Sequence, residues 1–372
     1  MTVESAYEAT AAHFGITTSE VRRYHIREAR KLGVHAVSER EIANASRKAE
    51  PKSPLLPIPE ALSIHRVSSL VRAATGEELL RWNKYKPDEI DRLEALRAMV
   101  LDLAEAVPRP DLIATPPPAE DRLLTLYPLG DPHLGLRAAD GTGLEDGADT
   151  LIAAVRDLVA RGQRSSTAVI ANLGDFVHSD DPSNKTRRSG HQLDVDGSWF
   201  EILKVARDVL LELVRAALEH HEHVHVKNLV GNHDDLTAVF LSLFLDAYFR
   251  DEPRVEIDTS AAQFQWYRFG QNLFGFTHGQ RIQGNVLYRV MAEDRATDWA
   301  ECPHRRWITG HTHQTRRYEI GGVVFESFRT LAKRDAYSEA AGYRSGKDLH
   351  RIVYDRDGGE VSREVVSPGM LV

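Results

Sequence analysis

The chain has 372 residues, of which 42% are hydrophobic and 27% charged, which is ordinary for a globular protein and suits one large domain with a smaller attachment. The formal net charge of −8 excludes a uniformly basic coat for nucleic acid, although a local basic patch stays open. One cysteine, Cys302, excludes an internal disulfide and a multi-cysteine zinc site, and no apolar run reaches the roughly 18 residues that span a bilayer. We therefore expect a soluble, cytoplasmic protein without a membrane partner.

The first 50 residues predict two short helices around Gly15, at the spacing of a helix-turn-helix. The second helix carries Arg22, Arg23 and Arg27, which are candidate DNA-binding residues. The same pattern is typical of a helical hairpin whose basic face is solvated or docks on a partner, and the sequence leaves both interpretations open. Four prolines within residues 51–63 then predict a linker.

A small unit is predicted at residues 64–107, before a second proline-rich linker at residues 108–120. It consists of a β-hairpin, residues 64–73 and 79–86, followed by a helix at residues 88–106. From residue 121 to residue 372, apolar strands alternate with amphipathic helices, which predicts one layered α/β domain. Its predicted strands are 123–129, 167–173, 224–230, 255–257, 264–269, 273–277, 306–309 and 322–327, with a closing pair around 357–359, and its predicted helices are 148–160, 199–220 and 235–249.

Five short polar motifs follow predicted strands of this domain. They are G-D-P-H at residues 130–133, G-D-F-V-H at 174–178, G-N-H-D at 231–234, T-H-G at 277–279 and G-H-T-H at 310–313. Open α/β sheets bind ligands at the ends of their strands. An Asp and a His two residues apart on an extended segment also point their side chains the same way, as two ligands of one ion must. Carboxylate, amide and imidazole groups gathered in this way are typical of metal and proton-transfer chemistry.

The order of these motifs resembles that of the calcineurin-like metallophosphoesterase superfamily, D-x-H, G-D, G-N-H-D/E, H and G-H-x-H, over residues 123–354. The resemblance implies a layered β-sandwich flanked by helices, with two divalent cations at the strand ends. It places one cation on Asp131, His133 and His313 and the other on Asn232, His278 and His311, with Asp175 bridging the two. Nitrogen and oxygen donors without thiolate suit Mn, Fe or Zn, and of these we expect Mn.

The resemblance also implies how such a site acts. Two cations about 4 Å apart can contact both the attacking and the leaving oxygen of a displacement at phosphorus. His233 is the implied general acid, which faces the leaving oxygen, and Asp234 is implied to orient its imidazole.

The second motif bears on the substrate. It departs from the G-D-x-x-D-R-G of the protein phosphatases, and His178 gives it the G-D-x-x-H form of the nuclease subunit of double-strand-break repair complexes. A helix-turn-helix ahead of the core resembles the metallophosphoesterases predicted in bacteriophage and prophage genomes. We therefore expect a metal-dependent nuclease that cleaves DNA. A small-molecule or cyclic-nucleotide phosphodiesterase or phosphatase and a catalytically inactive DNA-binding regulator are the alternatives, and the oligomeric state stays open, a homodimer included.

Cationic side chains follow two of the motifs. His178 and the loop residues Lys185, Arg187 and Arg188 are candidate substrate-binding residues, because their donors can reach a phosphodiester near the metals. A solvated surface loop explains the three loop residues equally well. A second cationic cluster, between the last strands, contains Arg329, Lys333, Arg334, Arg344 and Lys347. The sequence leaves open whether this cluster faces the site.

Overall fold

A computed structural model describes residues 62–71, 78–87, 113–186, 190–281 and 284–371. The predicted helix-turn-helix of residues 1–50, most of the linker after it and the predicted helix of residues 88–106 lie outside the described residues. Strands β1 (Leu62–Val71) and β2 (Glu78–Pro87) pair antiparallel where the sequence predicts a hairpin. They belong to one unit, Met1–Asp88, and all later elements belong to a second unit, Glu89–Val372. The predicted domain boundaries stay predictions.

The second unit alternates strands and helices. In chain order it contains β3 (Glu120–Leu129), α1 (Leu144–Arg161), β4 (Ser165–Asn172), α2 (Trp199–Leu218), β5 (His223–Asn228), α3 (Thr237–Phe249), β6 (Val255–Ile257), β7 (Gln265–Phe269), β8 (Asn272–Thr277), α4 (Gly284–Asp294), α5 (Ala296–Glu301), β9 (His304–Thr309), β10 (Arg316–Ile320), β11 (Val323–Ser327), α6 (Ala336–Ala340), β12 (Leu349–Asp355) and β13 (Gly359–Val366). The structure contains every strand and helix that the sequence predicts after residue 121. It adds α4, α5, β10 and α6, which were not predicted.

These strands form two sheets. The first has the order β13-β12-β3-β4-β5-β6, in which β3 to β6 are parallel and β12 and β13 are antiparallel additions at one edge. The second has the order β10-β11-β9-β8-β7, in which β11, β9 and β8 are parallel. Parallel strands are covered on both faces, which explains the apolar runs within β3 and β4.

The core separates into layers because the side chains of a strand alternate between its faces. In β4, Ala168 and Ile170 join a core with residues of α1, α2 and α3, whereas Val169 and Ala171 join a core with residues of the second sheet. A third cluster, which includes Cys302, packs α4 against the second sheet. The predicted α/β sandwich flanked by helices is therefore confirmed for the second unit. Among the described helices, none has the length and apolar character needed to cross a membrane.

A buried histidine lies at the amino-terminal ends of β4 and β5. His221 Nδ1 donates to the carbonyl oxygen of Ser165 at 2.8 Å, and its Nε2 lies 3.0 Å from the hydroxyl of Tyr127. Burial lowers the pKa of His221 to about 3. Burial also raises the pKa of Tyr127 to about 12, so the phenol stays protonated and donates a hydrogen bond to His221 Nε2. His221 is therefore neutral in the folded protein.

This histidine predicts a loss of stability in mild acid. In the unfolded chain it takes up a proton near pH 6.5, but in the folded chain only near pH 3. Its contribution to stability is complete above pH 6.5 and falls by about 1.4 kcal/mol for each pH unit below it. Between about pH 7.5 and about pH 5, we expect the free energy of unfolding of His221→Gln to fall by about 2 kcal/mol less than that of the wild type. Urea unfolding in EDTA measures this difference. His223→Gln, at an exposed position of β5, is the control. If the free energy of unfolding changed equally with pH in the wild type and in His221→Gln, this role of His221 would be excluded.

Candidate metal centre

The seven predicted ligands lie where strands of the two sheets end. They are Asp131 and His133 after β3, Asp175 after β4, Asn232 after β5, His278 after β8, and His311 and His313 after β9. Because β3, β4 and β5 are parallel neighbours, and β8 and β9 are as well, their carboxyl ends meet at one edge of each sheet. The structure brings all seven residues together. Their role as ligands stays a prediction.

Five of these residues have an unusual backbone conformation. Asp131, His133, Asp175, His311 and His313 have φ between 47° and 65°, in the left-handed region. This conformation costs a residue with a side chain about 1 kcal/mol or more, and it is concentrated at functional sites. The expectation that Asp131 and His133 lie on an extended segment is therefore wrong. A turn, and not the alternation of a strand, directs both side chains into the site.

The first group consists of Asp131, His133 and His313, whose candidate ligand atoms lie within 4.8 Å of one another. The Nε2 atoms of the two histidines are 3.1 Å apart, and Asp131 Oδ1 lies 3.7 Å from His313 Nε2. The backbone amide of His311 donates to both carboxylate oxygens of Asp131 at 2.9 Å and holds this side chain in place. Two imidazole nitrogens that face each other need a proton or a cation between them, because otherwise their lone pairs repel.

The second group consists of Asp175, His278 and His311, whose candidate ligand atoms also lie within 4.8 Å of one another. Asn232 joins it, with its Oδ1 3.2 Å from His278 Nε2. The Asp175 Oδ2 atom lies 3.2 Å from His278 Nε2 and 3.9 Å from His133 Nε2 of the first group. One carboxylate oxygen thus lies between the two groups, which is the bridging position that the resemblance implies.

Backbone hydrogen bonds orient the second group. His278 Nδ1 donates to the carbonyl oxygen of Leu173 at 2.7 Å, which leaves Nε2 turned towards Asp175. The backbone amide of His233 donates to Asp175 Oδ1 at 2.8 Å. The other oxygen, Oδ2, is therefore the one available between the groups.

A buried ion pair joins Asp175 to His278. Burial acts to lower the pKa of His278, but the Asp175 carboxylate reverses this effect and raises that pKa to about 10. Burial acts to raise the pKa of Asp175, but the charge of His278 holds it well below its usual range. Burial and the neighbouring His233 lower the pKa of His133 well below its ordinary value. Without a cation, the Asp175 carboxylate thus holds a proton on His278, and a bound cation would take the place of this proton; His133 is already neutral, as a metal ligand must be.

The donor set fits divalent cations. Imidazole nitrogens, carboxylate oxygens and an amide oxygen suit Mn, Fe or Zn. The Nε2 atom of His178 is buried without a hydrogen-bond partner, whereas buried polar atoms are nearly always paired. His178 lies against the first group, with its Nδ1 3.3 Å from His133 Nδ1. A bound cation or phosphate oxygen would satisfy this nitrogen.

The motifs D-x-H, G-D, G-N-H-D, H and G-H-x-H thus supply two groups of candidate ligands. The carboxylate of Asp175 lies between these groups. This arrangement resembles the site of the calcineurin-like metallophosphoesterases. The composition and arrangement of the two groups are suited to phosphoester hydrolysis with metal ions, while the identity of the metal is not determined by the geometry.

No protein-family model matches the sequence, and no curated protein matches it. Similar solved structures include Vps29 complexed with zinc from Entamoeba histolytica (15% identity, TM-score 0.29, covering 66% of this chain and 99% of that one). They also include a predicted phosphoesterase from Streptococcus pneumoniae TIGR4 (13%, 0.27, 66% and 98%) and a novel archaeal phosphodiesterase (14%, 0.33, 65% and 99%).

Asp234 does not orient His233, which corrects the expectation from the sequence. The fully buried carboxylate of Asp234 accepts backbone hydrogen bonds from Asp175 at 3.1 Å, Phe176 at 2.6 Å and Gly231 at 2.9 Å. Burial and the nearby Asp175 charge raise its pKa to about 8. The side chain of Asp234 is fully buried, whereas that of His233 is only partly buried. Asp234 joins the loops after β4 and β5 and is a positioning residue.

A carbonyl group orients His233 instead. Its Nδ1 lies 2.9 Å from the carbonyl oxygen of His178, so this nitrogen carries the proton. The ring stacks on that of His178, with centroids 5.2 Å apart and planes at 19°, and meets the ring of His133 at 4.8 Å and 85°. These contacts leave Nε2 as the nitrogen that can exchange a proton with a substrate.

A cleft of about 750 Å³ opens at the two groups of candidate ligands. The residues that line it on the side of the ligand groups are His133, His178, His233, His311 and His313. Among the predicted substrate-binding residues, His178 therefore lies in the cleft wall. Lys185 is exposed, pairs through its backbone with Gln192 and does not line the cleft. The remaining predicted contacts, Arg187, Arg188, Arg22, Arg23 and Arg27, lie outside the described residues.

The residues that line the cleft opposite the candidate ligands were not predicted as site residues from the sequence. They include His191, Lys333, Arg334, Tyr337, Tyr343 and Lys347. Three of these cations belong to the cluster whose direction the sequence left open, and the structure shows that they face the site. The mixture of tyrosines and cations in residues 333–347 was the available signal, since aromatic and cationic side chains together suit nucleic acid.

The substitution Gly231→Ala is a direct test of the candidate ligand groups. A Cβ atom at this position would overlap both Oδ1 and the backbone nitrogen of Asp175. We expect Gly231→Ala to displace the bridging carboxylate and to lower manganese content and phosphodiesterase activity by at least about tenfold. Metal analysis and turnover of a chromogenic diester measure both. Gly369→Ala is the matched control, because nothing lies within 4 Å of a Cβ there, and a fully active Gly231→Ala protein would contradict the geometry of the bridge.

Proposed function

We propose that this protein is a two-metal phosphodiesterase that cleaves DNA. The observation that carries the proposal is the position of Asp175, whose Oδ2 lies between His278 of one group and His133 of the other. Divalent cations held on both sides of one carboxylate would neutralise a phosphodiester and activate water for attack at phosphorus. Manganese is the cation that we propose, with iron or zinc as alternatives.

The side chains around the ligand groups have distinct tasks. His233 lies in the cleft wall with Nδ1 engaged by a carbonyl oxygen, so a proton on Nε2 can pass to the leaving oxygen of the substrate. Asp234 keeps the loop that carries His233 against the loop that carries Asp175. This arrangement supplies the acid that an alkoxide leaving group, such as the sugar oxygen of a nucleotide, requires.

Local charge supports DNA as the substrate. Lys333, Arg334 and Lys347 line the cleft beside the ligand groups, and lysine and arginine are the usual contacts of a phosphate backbone. The net charge of −8 is therefore not uniform over the surface. His178, which gives the second motif its nuclease-like form, lies in the same cleft. The predicted basic helices at the N-terminus are consistent with a DNA substrate.

Turnover of several phosphodiesters tests the proposal. Metal-stripped protein is reloaded with manganese and incubated with single-stranded DNA, duplex DNA, a cyclic nucleotide and bis(p-nitrophenyl) phosphate. We expect DNA to be shortened and the chromogenic diester to be cleaved. A parallel preparation of His233→Ala, purified identically, reveals any contaminating nuclease.

The other outcomes identify the alternatives. Hydrolysis of the small diesters with DNA left intact would make the protein a nucleotide phosphodiesterase. Bound metal without turnover of any phosphoester would favour a DNA-binding regulator. Iron- and zinc-loaded protein, assayed beside the manganese form, shows which cation supports the highest kcat/KM.

A further inference from the structure

One wall of the cleft is aromatic and exposed. Tyr337 and Tyr343 each keep about half of their surface, 55%, accessible, although both line the cleft beside the ligand groups. Tyr337 meets the ring of His191 at 5.2 Å and the ring of Tyr343 at 6.2 Å, at 62° and 70°. Tyr337 is thus held between two rings while much of its own surface faces solvent. We call His191, Tyr337, Tyr343 and Lys347 the nucleotide wall.

The cations near this wall differ in their partners. Arg329 pairs with Asp348, Lys333 with Asp140, and Arg334 and Arg344 with Glu339. Lys347 has no hydrogen-bond or ion-pair partner among the residues that the structure describes. It is half-buried, and burial lowers its pKa to about 8, with the charge of Arg334 adding to the effect. The charge of Asp335, which also lines the cleft, acts in the opposite sense on this pKa. The ammonium group of Lys347 is thus partly desolvated and forms no direct ion pair, so it can contact an anion that enters the cleft.

Surface tyrosines and unpaired lysines are common separately. Their coincidence in one cleft distinguishes this wall, because Lys347 and both tyrosines line the same space as His133, His311 and His313. A strand whose scissile phosphate lies at the ligand groups would place a neighbouring phosphate and a base in that space. Cationic groups beside aromatic rings are the pattern with which proteins bind single strands, since every base has a face that can stack.

We propose that the nucleotide wall binds one unpaired nucleotide beside the scissile phosphate, Lys347 contacting the neighbouring phosphate and Tyr337 stacking on the base. The inference rests on the proposed phosphodiesterase activity and specifies its substrate as a single strand or an unpaired end. In a duplex both faces of each base are covered by its neighbours, so a base must leave the stack to reach Tyr337. Wild-type protein therefore has a higher kcat/KM on a single strand than on a blunt duplex.

The charge arm of the test uses Lys347→Met, with Lys347→Arg as the conservative variant. Each is assayed on a single-stranded oligonucleotide and on bis(p-nitrophenyl) phosphate, which has no second phosphate. We expect Lys347→Met to reduce kcat/KM on the oligonucleotide about tenfold more than on the chromogenic diester. The slope of log KM for the oligonucleotide against log salt concentration should also decrease by about one, the value for one lost phosphate contact. Lys347→Arg restores most of the loss. Lys204→Met, on the exposed surface of α2, is the matched control.

The stacking arm uses Tyr337→Leu, with Tyr337→Phe keeping the ring. Because one stacked base is lost, we expect Tyr337→Leu to raise KM for the single strand by about tenfold. The ratio of kcat/KM on single strand to kcat/KM on duplex should therefore decrease in Tyr337→Leu and stay unchanged in Tyr337→Phe. Equal losses on oligonucleotide and chromogenic diester would show a structural role and overturn the inference. A wild type that leaves the oligonucleotide uncut refutes the proposed DNA activity and this role together. A wild type that cuts it, with Lys347→Met unchanged, refutes the nucleotide wall alone.

Discussion

Asp175→Asn is expected to lose bound manganese and to lower phosphodiesterase turnover on the order of 10³-fold or more. The Asp175 Oδ2 atom lies between His278 Nε2 at 3.2 Å and His133 Nε2 at 3.9 Å. Asparagine removes the negative charge that both cations would share, and it can turn an N–H donor towards them. The amide of His233 keeps an acceptor, because it binds the other oxygen, Oδ1. The variant should therefore fold and fail at metal binding.

Two measurements check this expectation. Elemental analysis after manganese loading and dialysis should find two ions per wild-type chain and less than one per Asp175→Asn chain. Melting temperature with and without EDTA provides a second readout, since a ligand that binds only the folded state stabilises it, so the difference should almost vanish in the variant. Asp208→Asn is the control, because Asp208 is exposed and pairs with its neighbour Arg207. Two ions and normal turnover in Asp175→Asn would show that Asp175 does not bridge.

The sequence predicted the centre of this fold better than its periphery. Strands β3 and β4 contain apolar runs because both of their faces are covered, whereas β5 alternates valines with polar residues, and each of the three strands is followed by a polar motif. Parallel strands end at one edge, so the order of the motifs was enough to place the seven ligand residues together. The outer elements have weaker patterns. Strand β10 is almost entirely exposed, and α6 has only five residues, so neither leaves a recognisable apolar period.

The local geometry of the site could not be read from spacing. Asp131 and His133 converge as expected, but through left-handed turns with φ of 47° and 48° and not through an extended segment. Adjacency in sequence suggested that Asp234 supports His233, whereas the carbonyl oxygen of His178 does so. These outcomes depend on turns, in which the period of two that relates strand side chains no longer applies.

The nucleotide wall shows a further limit of the sequence. His191 comes from the loop after β4, whereas Tyr337 and Tyr343 come from the segment before β12, about 150 residues later in the chain. Only the packing of these segments brings the three rings together. The cationic cluster is apparent in the sequence, but whether its side chains face the site depends on the acidic residues with which they pair. Those ion pairs form only in the folded protein.

His233→Ala is expected to lower cleavage of DNA by about 10²- to 10⁴-fold, the usual contribution of a general acid, while two manganese ions stay bound. The alkoxide that leaves from a DNA strand needs a proton, whereas p-nitrophenolate leaves without one. The loss on bis(p-nitrophenyl) phosphate should therefore be much smaller than the loss on DNA. His223→Ala, at an exposed position of β5, controls for the loss of an imidazole.

Metal content separates the two roles that the structure allows for His233. The ring nitrogens of His133, His178 and His233 also lie within 4.8 Å of one another and could hold an ion themselves. If His233 were a ligand, its removal would lower metal content and reduce turnover of both substrates equally. If it is the acid, metal content stays constant and the loss depends on the leaving group. Since Nδ1 is already engaged by the His178 carbonyl oxygen, only Nε2 can do either, and we expect it to deliver the proton.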